Sequence, residues 1–188
     1  MEFISNPVFI IIAIIVLIAL FFFATYNSFV TARNKTQEAA SAMDVTLVKR
    51  YDLIPNLVAT VKGYASHEKE TLENVVAARS NAMNAKGMEE KLAAEGELSK
   101  SLGRLMAVTE AYPDLKANTN FMDLQQTLKN MEAEISSSRK YYNAVVTNFN
   151  TKTELFPGNI IASIFGFKRQ PLFEVTDEEQ RSNVKVEF

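Results

Sequence analysis

The chain has 188 residues, 20 Lys and Arg against 22 Asp and Glu, a net charge of −2, one His and no Cys. With a pI near 5.6 and no concentrated basic face it is not written as a nucleic-acid binder, and without Cys it lacks the usual zinc, iron–sulfur and thiol sites. Six Gly, five Pro and no low-complexity run describe a folded chain, not a disordered one.

Residues 1–6 form a short tail, after which Val8 to Ala24 is apolar at every position, and fourteen of those seventeen residues are Ile, Leu, Val or Phe. No charge occurs between Glu2 and Arg33. At 1.5 Å per residue, 7–26 reaches about 30 Å, the hydrocarbon thickness of a bilayer. Fourteen such side chains favour insertion by roughly 4 to 8 kcal/mol. A transmembrane helix over 7–26 is therefore expected, with Val8, Ile12, Leu17 and Phe23 along it and Tyr26 at an interface. A cleaved signal would have a basic start and a shorter apolar centre, and an ordinary core helix would contain polar positions. Arg33 and Lys35 follow the span while only Glu2 precedes it, so the charge bias places a single-pass anchor with its body in the cytoplasm.

From 27 to 156 the period is helical. Met43, Leu47, Tyr51, Ile54, Val58, Val61 and Ala65 make one apolar stripe that keeps its phase across Pro55, which predicts a kinked helix and not a break. Asp52 is a candidate to bond backbone freed at that kink. A break is expected near Gly63–His67, with Ser66 as cap. A second helix carries Leu72, Val75, Val76, Ala82 and Met83 and is expected to close at Gly87. A third carries Leu92, Leu98, Leu102, Leu105 and Met106 and should end at Tyr112, before Pro113. Asn120 with Asp123 reads as the start of the fourth.

That last helix holds the most regular pattern in the chain. Phe121, Leu124, Leu128, Met131, Ile135, Ser138, Tyr142, Val145 and Phe149 alternate steps of 3 and 4. Such a seam suits coiled-coil-like packing in an antiparallel bundle, or equally a seam shared between subunits, with the intramolecular core preferred. Asn143, Asn148 and Asn150 lie beside it as candidate register-setting amides or as simple surface residues.

With the anchor, the segments DLIPNLVATVKGYASHEKETL, SLGRLMAVTEAYPDLKANTNF and SRKYYNAVVTNFNTKTELFP, in that order, resemble the LemA family of bacterial membrane proteins. The resemblance runs from the anchor almost to the C-terminus. It implies an all-α protein: an N-terminal transmembrane helix followed by an antiparallel up-and-down bundle of about four helices, at the bacterial inner membrane. Some relatives are associated with forming internal membranes, and the family offers no catalytic residues to carry over.

Residues 157–188 form a post-bundle segment and tail. Ile160, Ile161, Ile164, Phe165 and Phe167 crowd into eight residues ahead of Lys168 and Arg169, too short to span a bilayer. They are candidate interface residues, to be packed on the bundle, laid in a membrane interface, or inserted into a neighbouring subunit, with the first preferred. The tail has an acidic TDEEQ and a strand-like VKVEF.

The chemical motifs are absent. There is no GxSxG, Walker loop, GxGxxG or HExxH, and a triad could be built only on His67. Carboxylate runs such as Glu89–Glu90 read as solvated faces. No catalytic, cofactor-binding or metal-binding residue is expected. The expected partners are the lipid bilayer and further copies of the chain, so the leading reading is a non-enzymatic, self-assembling membrane scaffold. The alternative is a tethered adaptor that docks a membrane sensor, protease or other protein.

Overall fold

The computed structural model describes residues 7–173, and every element among them is helical. In chain order these are α1 (Pro7–Tyr64), α2 (Lys69–Asn84), α3 (Gly87–Thr109), α4 (Pro113–Lys116), α5 (Thr119–Glu154) and α6 (Gly158–Phe165). The expected tail at 1–6 and the TDEEQ and VKVEF segments lie outside the described residues. The chain divides into two compact units: one takes the chain up to Ala40 together with Tyr141–Leu172, the other takes Ser41–Lys140 and Phe173.

In the second unit, the later half of α1 is continuous through Pro55, as its unbroken apolar phase requires. It buries Met43, Leu47, Tyr51, Ile54, Leu57 and Val61, and Ala65 just past its end is buried with them. Leu57, not Val58, holds the core position, because two steps of 3 after Tyr51 correct the drift that repeated steps of 4 impose on a 3.6-residue turn. Asp52 is exposed beside Pro55.

The helix boundaries correct four expectations. The break falls where expected, between Tyr64 and Lys69, but Ser66 is exposed and Glu68 is the N-cap residue, without a side-chain cap bond. The Glu68 carboxylate instead accepts from the Tyr112 hydroxyl at 3.1 Å. Gly87 does not close α2, which ends at Asn84. It opens α3 at φ +80°, a left-handed conformation in which glycine escapes the Cβ clash. The Glu90 carboxylate accepts from the Lys86 N–H at 2.8 Å and so satisfies one donor at that start.

α3 stops at Thr109, not Tyr112, since Pro113 opens its own short helix at the first position, where a missing N–H costs nothing. The cap of α5 is Asn118, not Asn120: its Oδ1 accepts from Phe121 N–H at 2.9 Å, while its Nδ2 donates to the Tyr64 hydroxyl at 2.8 Å. Here α2 and α3 pack on each other, burying Leu72, Val75 and Ala82 on one and Leu98, Leu102 and Leu105 on the other.

The first unit is smaller and aromatic. Phe29 of α1 meets Phe149 of α5 edge-on, with centroids 6.3 Å apart, and stacks on Phe167 at 5.0 Å. Ala32, Ile161 and Ala162 complete this core. Two glycines make it possible. A Cβ on Gly158 would lie 2.5 Å from the Lys152 carbonyl oxygen, so only glycine lets α6 start this close to α5. Gly166, at φ +71°, caps α6 in the left-handed region, and the Phe167 N–H donates to the Ala162 carbonyl at 2.9 Å, folding Phe167 back onto Phe29.

Candidate functional site

The apolar run of α1 is the longest exposed apolar stretch among the described residues. Val8, Ile12, Leu17 and Phe23 are between 52 and 69% exposed, and the stretch is long and apolar enough to cross a membrane, with none of it buried. A soluble protein would not leave such a continuous apolar surface in water. Tyr26, at the end of the run, lies 4.7 Å from Phe165 and 6.0 Å from Phe167 between ring centroids.

Just beyond Tyr26, α1 and α5 border an open cleft of about 440 Å³. Ser28, Thr31 and Lys35 line it from α1, and Tyr141, Asn148 and Lys152 from α5. The Lys152 ammonium donates to the Ser28 hydroxyl at 2.8 Å across it. Past α6 the chain is tied down by side chains of α5 that bond to its backbone. Asn150 accepts from the Gln170 N–H at 2.8 Å and donates to the Gln170 carbonyl at 2.9 Å, while the Tyr142 hydroxyl donates to the Pro171 carbonyl at 2.9 Å. Burial pushes the Tyr142 hydroxyl above its ordinary range. Of the three amides considered beside the seam, Asn150 is thus a buried clamp and Asn148 is exposed.

The seam itself is buried at every seventh residue. Phe121, Leu128 and Ile135 in one unit and Tyr142 and Phe149 in the other are buried, whereas Leu124, Met131, Ser138 and Val145 are half-buried. Of the post-bundle candidates, Ile161 is 1% exposed and Phe167 packs on the core, while Ile160, Ile164 and Phe165 are 45 to 63% exposed.

Sequence reasoning missed an ionic network inside the second unit. Arg50 and Glu95 are both fully buried and paired, with Arg50 Nη2 donating to Glu95 Oε2. Arg50 Nη1 donates to Glu132 Oε1 at 2.7 Å and to Ser99 Oγ at 3.3 Å. The Tyr51 hydroxyl donates to Glu95 Oε1, and Arg139 Nη2 lies 3.5 Å from Glu95 Oε2. The Arg139 guanidinium also sits 4.1 Å over the Phe173 ring. Arg79 Nε donates to the Tyr51 carbonyl at 2.7 Å.

Burial, and then the hydrogen bond and charge of Glu95, hold the Tyr51 hydroxyl far above its ordinary range. Burial and the like charge of Arg50 push Arg139 down. The signal was present in the sequence. Leu47, Arg50 and Ile54, and likewise Glu95, Leu98 and Leu102, keep steps of 3 and 4, so opposite charges stand in phase with the core. The Glu95 carboxylate is engaged on both oxygens, by Tyr51 on Oε1 and by Arg50 on Oε2, and is closed off from solvent.

Elsewhere His67 is exposed in the α1–α2 turn, and no group of three or more His, Cys, Asp or Glu that could hold a metal ion occurs among the described residues. A second open groove of about 480 Å³ is lined by Val58, Leu72, Val76 and Ala77, with Lys62, Lys69 and Glu73 beside them.

The chain is similar to known proteins over most of its length. It is 29% identical to "Magnetosome protein MamQ 2" of Paramagnetospirillum magneticum, over 90% of this chain and 73% of that protein. It is 28% identical to "Magnetosome protein MamQ" of Magnetospirillum gryphiswaldense, over 89% and 73%. With "Protein LemA" of Metamycoplasma hominis it shares 25% identity over 92% of this chain and 80% of the relative. The LemA family profile matches residues 39–188, from the middle of α1 onward, and the chain belongs to the LemA family.

Proposed function

We propose that this protein is a non-enzymatic scaffold, anchored in a bacterial inner membrane by residues 7–26, that self-assembles and organises or shapes that membrane. The carrying observation is the wholly exposed apolar run that continues, without a break in α1, into a folded helical body. An exposed surface of that kind is stable only in lipid. Glu95, the one fully buried acid among the described residues, is consumed in structural ion pairs, which favours a non-enzymatic role. The relatives that carry the name of magnetosome proteins support the same reading. The body faces the cytoplasm in this reading, on the charge of Arg33 and Lys35. A cysteine introduced at Ser182 should resist an impermeant maleimide on intact cells, and external labelling would reverse that orientation.

Self-assembly is tested by the mass of the purified full-length protein in mild detergent beside a chain beginning at Asn27. A discrete homo-oligomer is expected, and its survival without the anchor would put the contacts in the helical body. A monomer in both would overturn the scaffold. The adaptor reading would then lead, and it is favoured by one feature, the groove at Val58, Leu72 and Val76, whose apolar floor suits a partner's helix.

A further inference from the structure

We infer that α6 is a membrane-interface foot: Ile160, Ile164 and Phe165, with Leu155 and Phe156 ahead of them, immerse in the headgroup and upper acyl layer of the leaflet where the anchor ends. The inference rests on the anchoring proposed above and is independent of self-assembly.

Depth is fixed by the anchor. Tyr26 closes the apolar run, and its ring packs against Phe165 at 4.7 Å, so α6 is held level with the end of the span, where hydrocarbon gives way to headgroups. Nothing else is needed to bring α6 to that height. Its other side is bolted to the protein: Ile161 and Ala162 are buried, Phe167 stacks on Phe29, and Gly158 lets the helix approach the Lys152 carbonyl.

The outward side is apolar. Phe156 is 79% exposed, Ile164 63%, Leu155 61%, Phe165 53% and Ile160 45%, and Ile160 and Ile164 lie one turn apart on the same face. Lys168 and Arg169 follow at once, both exposed, with Arg169 Nη1 2.7 Å from the Glu154 carboxylate, and Arg33 sits over the Phe167 ring at 5.5 Å. Apolar groups beside cations at the end of a span are the composition of an interfacial segment, with the cations at lipid phosphates. A water-facing helix would not carry this surface, and a second copy would have to cover it in the plane that lipid already occupies.

A foot of this kind occupies one leaflet only. It would add area to the side where the anchor ends, and it deepens the membrane-shaping part of the proposed function without requiring contacts between copies.

The chain has no Trp, so a single introduced indole reports its surroundings without background. Ile164→Trp, at an exposed position, would be placed in full-length protein reconstituted into phosphatidylcholine–phosphatidylglycerol vesicles, with Phe22→Trp as a reporter of the anchor and Val45→Trp, at a 60% exposed position outside both grooves, as a reporter of water. Circular dichroism would show that each variant keeps its helices. The expected result for Ile164→Trp is blue-shifted emission that loses about half or more of its intensity to lipids brominated near the glycerol end of the chains, and less to lipids brominated near the chain ends. Water-like, unquenched emission from Ile164→Trp beside quenched emission from Phe22→Trp would overturn the foot and leave the anchor standing. Blue-shifted emission from Ile164→Trp without bromine quenching would overturn it in favour of a protein cover. Loss of quenching in both Ile164→Trp and Phe22→Trp would overturn foot and anchoring together.

Discussion

The two units solve the problem of a small helical core by different chemistry. The unit that holds the anchor closes on aromatic rings, Phe29, Phe149 and Phe167, and on side-chain clamps from Asn150 and Tyr142 to the backbone at 170 and 171. The other unit places full charges in its interior, Arg50 and Glu95, and then satisfies them with Glu132, Tyr51 and Ser99. Apolar burial is non-directional, so the first core tolerates changes of ring angle. The charged core does not, because a guanidinium and a carboxylate out of water need each partner in place. The second unit thus adds a directional polar network to an apolar core, and the first relies on ring packing and two glycines.

Removing one charge is the largest test of that contrast. Glu95→Leu leaves Arg50 and Arg139 without their shared carboxylate, and should cost about 3–5 kcal/mol of unfolding free energy, the usual loss when one partner of a buried pair is removed. Denaturant melts of Glu95→Leu, of Arg50→Met and of the double variant would measure it. The double variant should cost less than the sum of the singles, and strict additivity would show that the pair is not coupled.

A smaller effect is expected from Asn150→Ala in the aromatic unit. It deletes two hydrogen bonds to Gln170 and exposes those backbone groups to the nearby solvent, so about 1–3 kcal/mol is expected, with release of the chain beyond α6. Proteolysis at 168–172 should accelerate in step with that loss, while the melt of the charged core stays near wild type. A variant as resistant as wild type would mean that Tyr142 and the rings suffice.

The smallest effect is a change of slope at alkaline pH. The Tyr51 hydroxyl is raised in the folded chain, so its contribution is fully present below its unfolded value of 10.0 and is lost as pH rises above it, when the unfolded chain releases a proton that the folded chain keeps. One such proton gives a slope of about 1.4 kcal/mol per pH unit. Tyr51→Phe should be less stable at neutral pH, since Glu95 loses a donor, yet flatter between about pH 9 and 11 in urea midpoints. Equal slopes in the two proteins would remove Tyr51 from the alkaline transition.

Much of this was legible as periodicity. The 7–26 run, the stripe through Pro55 and the heptad from Phe121 to Phe149 appear as helices at the expected places, because a 3.6-residue repeat is a local property that a sequence displays directly. Boundaries were less legible. Ser66 and Asn120 have the right chemistry for caps, as does Asn118, and the choice between neighbours depends on where the chain must turn.

The sequence by itself determined the helical character of the described body, an apolar stretch long enough for a bilayer, and the family to which the chain belongs. Only the tertiary structure decided that Arg50 and Glu95 meet, that Asn150 grips the chain twenty residues on, and that one side of α6 is buried while Ile160 and Ile164 stay exposed. Hydrophobic period says which side of a helix is apolar. It does not say which distant charge or ring will face it, since that depends on contacts between residues tens of positions apart whose geometry no local pattern encodes.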